Sequence, residues 1–398
     1  MKLIFIFLAA LILSPQIISS QIVEIEVAIY FSNAGYDEEI RDAISYSWIK
    51  DGIKYEIVPK IITKEEIRKG MLSKYDILVI PGEPRIYADS MDEKWKEEIR
   101  KFVANGGGYI GICGGANIAA PPYLGIANIT INDDQLEEWQ YLWKANWSHG
   151  GIPLNVYIPY SKIPIFKGFY GGYRNIRYWG GAGMGGEVAP IAIFAEEPCE
   201  VAPLHFWIWL GKWIPWKNIT TDIKGQYAAA VTKYGNGKVI LFSPHPEKDT
   251  FIDGHIEELP VHPELTPFTW FMYNWVGNRS NLSYNWWILR RSVAYAADAK
   301  IPPASETMVY IYEPRNGLYI DGRKIMEMKT TMVAGKTFIR VSSINVSNSI
   351  LYIDGRKIME GKGSVETWYS FEKGKHVIKA MGKNGKEEAW NEISVMAT

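Results

Sequence analysis

Two segments of this chain carry residue types that can attack an acyl carbon. In the first, the apolar run Tyr109-Ile110-Gly111-Ile112 ends at Cys113, and Gly114-Gly115-Ala116 follow. A strand that stops there and turns into a helix leaves the thiol at the bend, and the flanking glycines are expected to supply the cramped dihedrals of such an elbow. The Gly114 N–H could then face an oxygen bound beside the sulfur, and a helix N-terminus favours the nucleophilic thiolate. The competing reading of this stretch is a buried structural cysteine in a glycine-rich turn.

The second segment is Val239-Ile240-Leu241-Phe242-Ser243-Pro244-His245-Pro246-Glu247, another apolar run that ends near a histidine and a carboxylate. A thiol needs a base to take its proton, and the base needs a partner to fix its tautomer. Cys113, His245 and Glu247 are therefore the candidate catalytic set. His262 also reads His-Pro-Glu but follows a loop-like stretch, His205 lies in an aromatic run, and His149 and His255 sit beside glycines.

These residues need a scaffold that brings strand ends together. Residues 22–30 read as a strand, and 37–50 carry Ile40, Ala43, Ile44, Ser47 and Trp48 at helical spacing. A strand at 55–58, a short helix at 64–70 and a strand at 75–80 follow. Ser90-Met91-Asp92-Glu93 has the form of a capping box opening a helix with Trp95, Ile99, Phe102 and Val103 on one face. Alternating strands and helices predict an α/β fold with a doubly wound, mostly parallel sheet, in which ligands bind beyond the carboxyl ends of the strands. Gly82, Cys113 and His245 fall at such ends. The middle of the chain shows strands near 154–158, 191–195 and 226–232, separated by glycine-rich aromatic loops. Tyr178 and Trp179, in one such loop, are candidate substrate contacts, and a packing segment is the alternative. Residues 267–295 have helical character.

The pattern Gly-x-Cys-x-Gly with a distant strand ending in His-Pro-Glu resembles the class I glutamine amidotransferase superfamily, whose sheet is flavodoxin-like. Pro81-Gly82, Ile99-Arg100-Lys101-Phe102-Val103 and Gly107 to Ala116 are most similar to the branch named for the N-terminal domain of biotin-protein ligase. The resemblance extends over about residues 22–290. It implies a Cys113–His245–Glu247 triad and an oxyanion hole from the N–H groups of Gly82 and Gly114, with Glu83 standing where a further glycine is expected. With no synthetase or ligase segment visible, hydrolysis of an amide is expected rather than transfer of ammonia.

The remaining features bound the setting. Lys2 and the apolar run 3–13 read as a signal peptide over 1–20, with cleavage near Gln21 or retention as an anchor. Sequons at Asn128, Asn146, Asn218, Asn278, Asn281 and Asn345 fit an exported glycoprotein. The chain has 398 residues, which suggests more than one domain: the α/β domain over 21–298, a linker at 299–304 and an immunoglobulin-like β-sandwich over 305–398. In the last, Leu318 to Glu327 recurs almost verbatim at Leu351 to Glu360. The 16 Trp and 24 Tyr are expected mostly in the core. A net charge of −1 gives no reason to expect a nucleic-acid partner. Neither metal-ligand spacing nor a dinucleotide or phosphate-loop fingerprint is present, so no metal and no cofactor are expected. Cys113 and Cys199 are the two cysteines, and a disulfide between them would disable the elbow. Two functions remain open at this point. One is an exported cysteine amidohydrolase acting on a small-molecule or peptide amide. The other is a non-catalytic binding protein displayed to a cell-surface partner through its β module.

Overall fold

The computed structural model describes residues 21–32, 36–82, 91–121, 123–132, 151–201, 206–209, 212–215, 221–261 and 270–398. The expected signal segment, Glu83, Asn146, Asn218, His149, His205 and His262 lie outside the described residues. The chain begins with β1 (Ile22–Tyr30), α1 (Tyr36–Ile44), β2 (Tyr46–Lys50), β3 (Ile53–Ile62) and α2 (Lys64–Arg68). Then come β4 (Ile77–Ile80), α3 (Glu93–Ala104), β5 (Gly108–Ile112) and the single turn α4 (Gly114–Asn117). The middle adds β6 (Ile129–Ile131), β7 (Ile152–Tyr157), β8 (Tyr173–Tyr178), β9 (Met184–Gly186), β10 (Ala189–Phe194) and α5 (Pro198–Val201). A hairpin of β11 (Phe206–Trp209) and β12 (Lys212–Pro215) precedes β13 (Tyr227–Tyr234) and β14 (Gly237–Phe242). β15 (His255–Val261) pairs with β16 (Trp270–Val276), and α6 (Trp286–Ala296) follows.

Five strands form a parallel run in the order β3-β1-β4-β5-β14. β4 and β5 are buried throughout, as are the C-terminal residues of β1 and β14, which explains their continuous apolar runs, whereas β3 at the edge of the run alternates buried and half-exposed residues. Alternate residues go to opposite sides. Ile77, Val79, Ile110, Ile112, Ile240 and Phe242 join a core with α1 and α6. Leu78, Ile80, Tyr109, Val239 and Leu241 join a second core with Trp95, Ile99 and Val103 of α3. The register sets Phe242 beside Ile112 and Ile80 beside Gly111, so the segments after β4, β5 and β14 leave the sheet at one edge of its layer.

The sheet is mixed rather than mostly parallel. Beyond β14 it continues antiparallel through β13, β10, β7 and β8. The helix expected over 37–50 ends at Ile44, and residues 46–50 are strand. Helical spacing is weak over this second half, where Trp48 gains a stacked ring at Tyr55, 5.2 Å away, by pairing with β3. Tertiary packing overrides a weak local preference here. The cap of α3 also lies later than expected: the Asp92 carboxylate accepts from the Trp95 N–H at 2.9 Å. Residues 270–276, read as helical, are strand β16.

Residues 308–397 form an all-β region of two packed sheets. One contains β17 (Met308–Glu313), β21 (Lys336–Ile344) and β24 (Val365–Ser370). The other contains, in spatial order, β19 (Arg323–Glu327), β18 (Gly317–Ile320), β20 (Thr331–Ala334), β26 (Glu387–Ala397), β25 (Gly374–Asn384), β22 (Asn348–Ile353) and β23 (Arg356–Gly361). Val309, Ile311, Ile339, Val341, Leu351, Ile378 and Val395 fill the space between. The sequence repeat is explained: both copies are hairpins turning at Asp321-Gly322 and Asp354-Gly355, where all four φ angles are positive.

Candidate active site

Cys113 stands between β5 and α4 with φ 51° and ψ −113°, a conformation costly for a residue with a Cβ. The unusual dihedrals thus belong to the cysteine itself. Gly111, Gly114 and Gly115 have no positive φ, which corrects the role expected of them. Gly111 and Gly115 permit close approach instead: a Cβ on Gly115 would lie 2.1 Å from the Ile80 carbonyl oxygen, so only glycine lets the turn sit against β4. The backbone N–H of Cys113 donates to the Phe242 carbonyl at 2.6 Å, tying the elbow to the strand that leads to His245.

Gly82 fixes how Cys113 and His245 meet. A Cβ built on it would lie 2.7 Å from the Cβ of Cys113 and 2.8 Å from Cε1 of His245, so both side chains close over this one position. On its other edge the imidazole is anchored: Nδ1 is 2.6 Å from Oε1 of Glu247. His245 is 1 % exposed, Glu247 1 % and Cys113 7 %, so the set is nearly dry. Burial alone would push the imidazole down. The Glu247 carboxylate and the Cys113 sulfur more than offset it, and His245 is pushed up to about 10. Burial would raise the Glu247 carboxyl, but the facing imidazolium holds it below the usual carboxylate range. With Nδ1 taken by Glu247, Nε2 of His245 is the edge left to the Cys113 side chain and a reacting group. The arrangement can hold an imidazolium beside the sulfur, the neighbour that favours the thiolate form a cysteine nucleophile needs.

Trp179 and residues the sequence did not single out complete the surroundings. The His245 N–H donates to the Arg177 carbonyl at 2.7 Å. The Arg177 guanidinium, itself 2 % exposed, donates to the Asp249 carbonyl at 3.0 Å and carboxylate at 3.2 Å, so one side chain spans the segment carrying the base. Trp286 Nε1 donates to the Glu247 carbonyl at 2.8 Å. Tyr36 and Trp179 each place a ring centroid 6.2 Å from that of His245. Lys248 lies 4.5 Å from the Tyr36 ring centroid and 5.5 Å from that of Trp179, and it pairs with Glu39 at 2.5 Å. The signal for Tyr36 and Glu39 was positional: they open the helix after β1, another strand ending on the same side.

Of the two aromatic candidates, Trp179 belongs to this site, and its carbonyl faces the Cys113 sulfur at 3.9 Å. Tyr178 does not. It is fully buried with its ring edge-on to Phe194. Cys199 is free, half-buried and hydrogen-bonded with Thr221, so it makes no bridge to Cys113. Burial pushes the Asp37 carboxyl, at the start of α1, up to about 6 against contacts with the Ser32 and Glu38 backbone. An acid raised on folding costs stability as pH rises from its unfolded value to its folded one. Asp37→Asn is therefore expected to raise the urea midpoint at pH 7.5 and to raise it much less near pH 4. An equal change at both would remove the carboxylate as the cause.

Residues 52–125 match the family described as "Biotin-protein ligase, N terminal", a segment that ends just after the Cys113 elbow. No curated protein matches the sequence. Among solved structures, the β-galactosidase from Bacillus circulans sp. alkalophilus aligns at 12 % identity and TM-score 0.38, over 93 % of this chain and 41 % of that one. The β-galactosidase from Rahnella sp. R3 aligns at 13 % identity and TM-score 0.37, over 87 % and 41 %. Fibronectin(III)-like modules of Clostridium thermocellum CbhA align at 13 % identity and TM-score 0.18, over 23 % of this chain and 96 % of theirs. The chain thus spans about two fifths of the length of those β-galactosidases. Likenesses this low assign neither a fold family nor an activity.

Proposed function

We propose that this chain is an exported cysteine hydrolase that cleaves an amide through Cys113, His245 and Glu247, built on a flavodoxin-like, class I glutamine amidotransferase-like sheet. The observation that carries the reading is the buried Glu247–His245 pair closing with Cys113 over Gly82. The parallel order β3-β1-β4-β5-β14 supports the flavodoxin-like part, because the chain-order ranks of these strands within the run are two, one, three, four and five.

In this reading the Cys113 thiolate attacks the amide carbon and the carbonyl π pair moves to oxygen. The N–H groups of Gly114 and Gly82 hold that oxyanion. The imidazolium of His245 gives its proton to the departing amine as the C–N bond breaks, leaving a thioester. His245, now neutral, takes a proton from water as the water attacks the thioester, and the acid product leaves with the thiol reformed. Base and acid work of this kind contributes about 10²–10⁴-fold, and each oxyanion donor about 10²–10³-fold.

The test is the rate at which iodoacetamide alkylates Cys113 across pH, in a Cys199→Ser background. Reaction well below pH 8, slowed roughly a hundredfold by His245→Ala at pH 7, is expected. It would justify turnover assays on amides. A thiol indifferent to His245 would overturn the enzyme reading in favour of a binding protein.

A further inference from the structure

The all-β region is joined to the α/β part by more than a linker. β26 pairs antiparallel with β2, Tyr46 against Ala389 and Trp48 against Glu387, so one sheet runs through both parts. Met308 and Ala389 enter the core that contains Ile40, Trp48 and Trp286. At the last turn of α1, Asp42 is 5 % exposed and accepts from both terminal nitrogens of Arg315 at 2.9 Å. Arg315 lies on the segment between β17 and β18, with the Tyr310 ring 4.2 Å from its guanidinium carbon and the Asn391 amide oxygen at 3.4 Å. The first turn of the same helix carries Tyr36 and Glu39, the residues that stand beside His245 and hold Lys248. One nine-residue helix therefore has its N-terminal end in the wall of the candidate site and its C-terminal end in the grip of the β region.

We propose that the all-β region is a working part of the site: Arg315, acting through Asp42, is a positioning residue that holds α1 so that Tyr36 and Glu39 close over Cys113 and His245. Without Arg315 the buried Asp42 carboxylate keeps only Arg41, its neighbour on the same helix, on its other oxygen at 3.2 Å, so nothing from the β region holds it; a short helix moves as a body, and loosening at Asp42 reaches the first turn. The expected consequence is loss of size selection at the thiol.

The experiment uses the full chain in the Cys199→Ser background with Arg315→Met, Arg315→Lys and the double variant Asp42→Asn/Arg315→Met, which removes both charges together. Two readouts are taken: hydrogen exchange of residues 36–44, and the ratio of Cys113 alkylation by a bulky N-arylmaleimide to that by iodoacetamide. Arg315→Met is expected to speed exchange in α1 and to raise the ratio, each roughly tenfold, with Arg315→Lys intermediate and the double variant still elevated. Unchanged exchange and an unchanged ratio, with only a lower melting temperature, would make the bridge merely structural and overturn the proposal. The rate arm rests on Cys113 being reactive. A silent wild-type thiol would sink the proposed function, and the exchange of α1 would still decide the coupling.

Discussion

Gly82→Ala is expected to slow alkylation of Cys113 at pH 7 by roughly 10²-fold while leaving a folded protein. The added methyl would stand 2.7 Å from Cys113 Cβ and 2.8 Å from His245 Cε1, closer than carbon atoms can rest. One of the two side chains must move, and both are held. Cys113 is tied by its N–H to Phe242, and His245 by Nδ1 to Glu247 and by its own N–H to Arg177. The overpacking should cost about 1–3 kcal/mol of stability, since β4 ends before Gly82 and no ladder bond is lost. The substitution keeps the Gly82 N–H, so an oxyanion donor at that position would survive it. A large rate loss would therefore report the Cys113–His245 approach and not the loss of a donor. The measurement is the alkylation rate against pH, with near-ultraviolet circular dichroism to confirm packing. Wild-type reactivity in the alanine variant would mean that the two side chains need not meet for the thiol to be active.

What could be read from the sequence follows from where apolar runs stop. β4, β5 and residues 239–242 of β14 are buried on both faces, so each reads as a hydrophobic stretch, and the polar or small residues that follow mark the sheet edge. Gly82, Cys113 and His245 were legible for that reason. Tyr36, Glu39, Arg177 and Lys248 were not, because each is fixed by a partner distant in the chain and carries no local pattern. Arg177 is the clearest case: it lies on β8, its carbonyl bridges His245, and its guanidinium crosses to Asp249. Nothing in Tyr173 to Tyr178 announces either contact. β2 was hidden for a related reason, since its strand form depends on β3 on one side and on β26, at the far end of the chain, on the other.

The junction of β2 and β26 also changes what the C-terminal region can be. A display module needs only a flexible tether, and flexible tethers do not share a sheet. Here Trp48 Nε1 donates to the Lys300 carbonyl at 3.0 Å, Lys54 pairs with Glu388 at 3.0 Å, and Glu387 accepts from Ser305 and Thr307. The segment expected as a linker, 299–304, is thus bonded at Lys300 to the α/β part and runs directly into Ser305 and Thr307, bonded to the β region, and strain in either part is felt in the other.

Glu247→Gln is expected to cost about 3–5 kcal/mol at pH 6 and much less at pH 10. His245 is pushed up to about 10 in the folded protein against an ordinary value of 6.5, so its proton binds more tightly folded than unfolded. A base raised in this way contributes stability that is complete below 6.5 and is lost as pH rises through about 10. Glutamine keeps a hydrogen-bond acceptor for Nδ1 but supplies no negative charge. Burial then has nothing to offset it except the sulfur, and the imidazole becomes neutral near pH 7. Urea unfolding at pH 6, 8 and 10 reads the difference directly: wild-type stability should fall across that range, and the variant's should stay nearly flat. Alkylation should shift in step, with its onset moving to alkaline pH because a neutral imidazole no longer supports the thiolate. Parallel stability slopes in the two proteins would mean that His245 is already neutral in the wild type. The Glu247–His245 contact would then be an ordinary hydrogen bond, and the charge separation on which the proposed attack depends would have no support.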